Sequence, residues 1–482
     1  MKYFEYYSGG KLQRSRFAGV FEAPQERRGR SAAARRALHR PQAMGGSLMQ
    51  TLHSQKRRLS SRFRAMAETS TMVVPTSSVG TTIVPTETVA IDGARAAEIR
   101  WLRSKHGMET VREGRRGKVL MKVPDDASDG LSVAFEGARA LHERGKVGAA
   151  HPNFLRVVQR PGRSASTSTA QWALDNKGTP GVVNADVHAL AAWTISKGTH
   201  GIRVAVLDEG VDTLHSYLKD AVVAEADFVD GNSHARPSGD DAHGTACAGI
   251  VVSQNSRVQG LAPGVRLVAA RIAKSNSLGF WIFDDFETAD AIDWCWDDAK
   301  ADVLSNSWGG GLPADVITRA FERARTRGRG GKGCVIAIAA GNDQAPVDFP
   351  GNLPNMMTVG ASNQWDKRKT KNSQDGEDWW GSNYGDSLDL LAPGVAIPTT
   401  DIRGRRGYSS TLVTPDFNGT SSATPHVAAV AGLILSVNPS LREAEVRQII
   451  NDTADPLSRS GWNRRVGHGR LNAYAALRAA RA

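Results

Sequence analysis

Three short apolar runs in this chain each end on a polar residue, and that pattern constrains the fold more than any other feature. GIRVAVLD (201–208) closes on Asp208, ADVLSNSW (301–308) carries Ser307 near its end, and GCVIAIAAGN (333–342) closes on Asn342. Apolar strands without polar alternation have both faces buried, the condition of a parallel sheet flanked by helices. VRLVAARIA (265–273) reads as a further strand. Between the strands lie helical stretches. HGTACAGIVVS spans 243–253, and DDFETADAIDWCWDDAK spans 284–300 with an acidic first turn that suits the helix dipole. PHVAAVAGLILSV spans 425–437 and is expected to place Pro425 in its first turn. Residues 171–482 are therefore expected to be α/β, a doubly wound, mostly parallel sheet.

Upstream the texture differs. ETVAI (87–91), METVRE (108–113), KVLMKV (118–123) and KVGAAHPNFLRVVQ (146–159) read as strands, with helices over 93–107 and 132–145. Strand–helix–strand–strand–helix–strand is the split βαβ order of a small α+β, ferredoxin-like domain over 87–159. RPGRSASTSTA (160–170) is polar and exposed in character, a linker open to proteolysis. Residues 67–86 read as a Ser/Thr/Pro/Val linker, and 1–66, rich in Arg, Ser, Ala and Gly, as a disordered basic tail.

The net charge of +12 belongs to that tail. Residues 1–65 hold 15 Lys/Arg against 3 Asp/Glu, whereas the remaining 417 hold 46 of each sign. The body gives no electrostatic reason for a nucleic-acid or membrane partner, while the tail has the composition of a polyanion binder. No apolar run reaches the roughly 18 residues of a membrane span, the longest being Val427 to Val437. Three cysteines, Cys247, Cys295 and Cys334, have no paired spacing and read as buried thiols. No secretory leader follows Met1, so a cytoplasmic location is expected, with secretion as the alternative. Met44, Met49 and Met66 are alternative starts.

In open parallel sheets ligands bind beyond the carboxyl ends of the strands. Asp208, Ser307 and Asn342 collect there, and two helices bring His243 and Ser421 to their N-termini. Each suits a role. A serine hydroxyl needs a base to take its proton, His titrates in the useful range, and a buried carboxylate steadies the imidazolium. A tetrahedral oxyanion needs donors, which the Asn342 amide and the Ser421 backbone N–H supply.

VAVLDEGVD (204–212), HGTACAG (243–249), SNSWGG (305–310), AAGN (339–342), LAPG (391–394) and GTSSATP (419–425) resemble the signature blocks of the subtilase family, in family order. The closing GHGRLNAYAAL (467–477) is similar to the family's last helix. The resemblance implies a subtilisin-like serine endopeptidase with Asp208, His243 and Ser421 as catalytic triad and Asn342 as oxyanion donor. It also implies that Ser307, Trp308 and Gly309 line the substrate cleft, where a peptide pairs as an added strand. By the same resemblance 87–159 is an inhibitory, folding-assisting propeptide removed by self-cleavage, and the mature enzyme a monomer acting on protein or peptide substrates. No cofactor is required. Structural calcium is frequent in the family, but no run here matches a calcium loop such as the EF-hand. Glu209 and Asp343 depart from the common pattern; an acid after Asn342 is one that favours basic residues at the scissile bond. Cys247, one helical turn beyond His243, resembles the thiol-containing branch. A catalytically idle peptide binder and a polyanion-binding adaptor are the alternatives.

Overall fold

The computed structural model describes residues 3–8, 11–16, 74–75, 81–127, 129–159, 170–275 and 280–481. They divide into two compact units. One comprises Met1–Val158, Asn276–Phe286 and Ala314–Val316; the other comprises Gln159–Ser275, Glu287–Pro313 and Ile317–Ala482.

The larger unit is built on a seven-stranded sheet in which every neighbouring pair is parallel. From one edge the order is Leu390–Pro393, Met357–Ser362, Val335–Ala339, Val303–Asn306, Arg203–Asp208, Arg266–Arg271 and Val222–Asp227. On one side the chain passes from Arg203–Asp208 to the edge strand Val222–Asp227 and returns to place Arg266–Arg271 between them; on the other side the strands follow one another outward in chain order. The chain first fills one side, then crosses to Val303–Asn306 and fills the other. That reversal is the switch point where open sheets part beyond their strand ends. All but the edge strand Val222–Asp227 are buried along nearly their whole length, as unbroken apolar runs require.

Helix His243–Val252 and helix Thr420–Val437 pack together, and sixteen of the eighteen residues in the latter are buried. This second helix begins five residues before the position read from the sequence, so Pro425 lies inside it and not in its first turn. At 18 residues and a mean hydropathy of 1.3 it also has the length and composition of a membrane span, which the sequence reading had not found. It is 89% buried within the fold, which makes it a core helix.

In the smaller unit the four expected strands and two helices occur in the expected order. The strands are Thr81–Asp92, Glu109–Glu113, Val119–Lys122 and Ala149–Gln159, and the sheet runs fourth, first, third, second, with the pairs antiparallel. Helix Gly130–Glu143 is N-capped by Asp129, whose carboxylate accepts the Ser132 N–H at 3.0 Å. The helices close over Val89, Ile91, Leu102, Met121 and Leu141.

Three boundaries differ from the sequence reading. Residues Tyr3–Ser8 and Lys11–Arg16 form an antiparallel hairpin, although 1–66 was expected to be disordered. Tyr6 is buried with its ring edge-on to Phe154, and Tyr7 stacks on His142. Composition averaged over 66 residues hid a short aromatic strand next to a Gly-Gly pair, the sequence a two-residue hairpin favours. The first strand of the split βαβ starts at Thr81, inside the expected linker 67–86, because TTIVP is itself strand-forming. Finally, Phe280–Asp284 adds a strand to this sheet beside Ala149–Gln159. There Asn153 Nδ2 donates to Asp284 at 2.6 Å, and Arg156 makes a bidentate, buried pair with Asp285. The expected division at 160–170 is thus not the whole boundary. Residues 160–169 and most of 1–66 lie outside the described residues.

Candidate active site

Asp208 ends its strand and His243 begins its helix. The His243 Nδ1 lies 3.0 Å from both Asp208 carboxylate oxygens, and the two side chains are only 1% and 2% exposed. A carboxylate there accepts the Nδ1 proton and leaves Nε2 as the ring's basic nitrogen. The close approach of strand and helix requires Gly244. A Cβ on it would sit 2.3 Å from the Gly210 carbonyl oxygen and 2.8 Å from Asp208 Cβ. Phe417 stands edge-on to the imidazole at 5.1 Å.

The N-terminus of the His243 helix is capped from elsewhere in the chain. Its own N-cap, Ala242, has no side chain able to do so. Glu209, fully buried, accepts the His243 backbone N–H at 2.6 Å, while its own backbone N–H donates to Asp208 at 2.8 Å. One residue thus ties the strand of the acid to the helix of the base, with a negative charge at the positive end of that helix.

Ser421 is the second residue of its helix, which starts at Thr420 after Gly419, whose φ of 113° and close approach to the Asn342 amide both favour glycine. Pro425 explains the geometry at the serine. It has no N–H, so it cannot bond the carbonyl four residues earlier, which is that of Ser421. That carbonyl instead accepts Ser307 Oγ at 2.9 Å and Cys247 Sγ at 3.5 Å. The Ser421 hydroxyl donates in turn to the Ser307 carbonyl at 3.3 Å. Cys247 also lies 3.8 Å from His243 Nδ1. Burial, and next the Asp208 charge, push its thiol well above the ordinary range, so it remains a protonated donor.

Asn342 is oriented by Thr420, which donates to its Oδ1 from the backbone N–H at 2.8 Å and from Oγ1 at 3.1 Å. With the oxygen committed, the amide presents its NH₂ as the donor. Behind it, Asn383 Oδ1 accepts the N–H groups of Asp343 and Ala345 at 2.9 Å each. Burial raises the Asp343 carboxyl to about 6. Of the three residues expected to line the cleft, Ser307 and Trp308 have buried side chains, and Trp308 stacks on Phe321 at 6.0 Å. Only Gly309 is partly exposed. The Ser307 hydroxyl therefore braces Ser421, a role the sequence reading missed because the bond spans 114 residues.

Asp208, His243 and Cys247 place three ligand atoms within 4.8 Å of one another. A carboxylate, an imidazole and a thiol do not fit calcium, which takes six to eight oxygens.

A buried carboxylate–imidazole pair at a sheet switch point, beside a serine at a helix N-terminus, defines the class of serine-nucleophile hydrolases. Within that class residues 199–469 match the subtilase family, peptidase family S8, and the chain belongs to it. It is 33% identical over 298 residues to thermitase of Thermoactinomyces vulgaris, covering 60% of this chain and 93% of that protein. It is 32% identical over 411 residues to a calcium-dependent protease of Trichormus variabilis, covering 77% of this chain but only 60% of that relative's length. Among solved structures, fervidolysin from Fervidobacterium pennivorans, described as a keratinolytic enzyme related to subtilisin, shares the fold. Its TM-score is 0.62 at 22% identity, over 81% of this chain and 60% of that one.

Proposed function

We propose that the chain is a serine endopeptidase that cleaves peptide bonds through an acyl-enzyme, with Ser421 as nucleophile, His243 as general base and Asp208 as the acid that orients it. The observation that carries this reading is the His243 Nδ1 held at 3.0 Å from both oxygens of buried Asp208. As Ser421 Oγ attacks the scissile carbonyl, its proton passes to His243 Nε2, and the imidazolium formed is steadied by Asp208. The oxyanion is met by the Asn342 NH₂ and by the Ser421 N–H, one of the N–H groups a helix start leaves without an intrahelical partner. Collapse returns the proton to the leaving amine, and water repeats the sequence on the ester. The substrate backbone pairs along 307–309. No step needs a metal; calcium, carried in the name of a relative, enters only as a structural ligand.

The same reading makes 87–159 a ferredoxin-like propeptide and intramolecular inhibitor, released by self-cleavage within 160–170, with a monomeric mature enzyme. The match to the calcium-dependent protease supports its being part of the shared design. That match covers 77% of 482 residues, about 371, against 312 from Gln171 onward, so it reaches upstream of the peptidase segment.

Purified wild type should react with a fluorophosphonate probe and convert to a shorter form. Ser421→Ala and His243→Ala should stay full length and lose peptide hydrolysis by about 10⁶-fold, the size of loss known for subtilisin itself. Full activity in either variant removes the triad assignment. A single intact wild-type band hydrolysing peptides at full rate removes the propeptide.

A further inference from the structure

The most unusual charged group outside the triad is Lys369. Its side chain is completely buried, with Nζ inside a shell of oxygens from its own loop. Nζ donates to the Asp375 carboxylate at 2.8 Å, to the Thr370 carbonyl at 3.0 Å and to Ser373 Oγ at 3.3 Å, and it also bonds the Glu377 carbonyl. The face of Trp380 lies 5.1 Å away. An ammonium has three protons and no acceptor, so a carboxylate, two carbonyls and a hydroxyl around one point charge form a cation's coordination shell. The spacings to Asp375, Thr370 and Ser373 suit an ammonium and exceed the 2.3–2.6 Å of calcium–oxygen bonds.

The shell is itself fixed. Asp375 accepts further from Ser373 Oγ at 2.7 Å and Asn363 Nδ2 at 2.9 Å, and Trp380 Nε1 donates to Glu377 at 2.5 Å. Burial opposes ionisation of Asp375, but the bonds from Lys369, Ser373 and Asn363 outweigh it and hold the carboxyl below its ordinary range.

The caged loop is zipped to the segment that bears Asn342. The Gly381 N–H donates to the Asn342 carbonyl at 3.1 Å and the Gln344 N–H returns to Gly381 at 2.7 Å. The Asn383 N–H reaches Gly341 at 2.9 Å, and the Lys371 N–H reaches Gln344 Oε1 at 2.7 Å. The Lys369 backbone completes the link, its carbonyl accepting the Ser382 N–H at 3.0 Å.

We propose that Lys369 is the resident cation of the 369–381 loop, standing covalently where a metal ion would sit in an open oxygen cage, and that this cage positions the Asn342 segment. It is a positioning residue, and its effect on turnover rests on the oxyanion role assigned above to Asn342. The loop accordingly keeps its order without added metal.

Hydrogen exchange read by mass spectrometry on full-length Ser421→Ala protein tests the cage apart from catalysis. With Lys369 intact, exchange over 369–384 and 341–346 should be unchanged by EDTA. Lys369→Ala should speed exchange in both segments by about tenfold or more, and ethylammonium, potassium or calcium chloride should restore part of the protection. In otherwise wild-type enzyme Lys369→Ala should lower kcat by about 10- to 100-fold, the cost of a misplaced catalytic group, with KM within about twofold. Should Lys369→Ala not fold, Asp375→Asn, which keeps the shape and removes the counter-charge, should accelerate exchange in the same two segments. The proposal is overturned if EDTA alone loosens the loop with Lys369 intact, or if the folded variants exchange normally over 341–346. Failure of the triad reading would instead appear as activity surviving Ser421→Ala, with the exchange results unaffected.

Discussion

Among the groups through which acidification should destabilise the peptidase unit is His426, which lies on the same helix as Ser421 but takes no part in the chemistry. Its ring is fully buried, and Nδ1 donates to the Ser422 carbonyl at 2.8 Å. The small cavity beside it is lined by Ala173, Leu174, Ile250, Ile397 and Pro398, with the uncharged amides of Gln171 and Gln259. Burial lowers the ring's pKa from 6.5 to about 4. The unfolded chain therefore binds the proton first, and stability is present in full above pH 6.5 and lost as pH falls toward 4. At about 1.4 kcal/mol per unit, the 2.5-unit gap costs about 3 kcal/mol once pH reaches 4, and about 2 kcal/mol at pH 5. Asp343, raised to about 6, acts with the opposite sign, but it is common to wild type and variant and cancels in their difference. The assay is urea unfolding of Ser421→Ala protein, with and without His426→Leu, from pH 7.5 to 4. His426→Leu should be less stable at neutral pH, by about 0.5–1.5 kcal/mol for the lost imidazole bond to the Ser422 carbonyl, which keeps its helical partner, yet lose less on acidification. Parallel pH profiles for the two proteins would refute the reasoning, because a ring that titrates alike folded and unfolded contributes no slope.

Three further outcomes follow from the site. Glu209→Ala should lower kcat by about tenfold or more by freeing the His243 helix start, with KM little changed, whereas Glu209→Gln, which keeps an acceptor, should recover most of the rate. Equal rates for both variants and wild type in steady-state kinetics would limit Glu209 to stability. Asn342→Ala should cost about 10²–10³-fold in turnover at nearly constant substrate affinity, and a loss confined to KM would remove the oxyanion role. A small mercurial should inactivate the enzyme by attacking Cys247 between His243 and Ser421, and Cys247→Ser should abolish that sensitivity. Continued inactivation of the variant would point to Cys295 or Cys334.

What the sequence determined by itself was whatever is encoded locally. Strand ends, the start of the His243 helix and the order Asp208, His243, Ser421 were legible because each motif carries its own backbone requirements, such as Gly244 against Asp208. The parallel sheet was legible from unbroken apolar runs for the same reason. The missed parts depend on partners far apart in the chain. Ser307 reaches Ser421 across 114 residues, and Glu209 reaches the His243 N–H across 34. Strand Phe280–Asp284 is short and apolar, and nothing within it says that its sheet lies beside Ala149–Gln159. Lys369 sits in a polar stretch that reads as a solvated loop until Thr370, Asp375 and Glu377 fold back over it. A buried charge is tolerable only when its whole oxygen shell is assembled, and that assembly exists only in the tertiary structure.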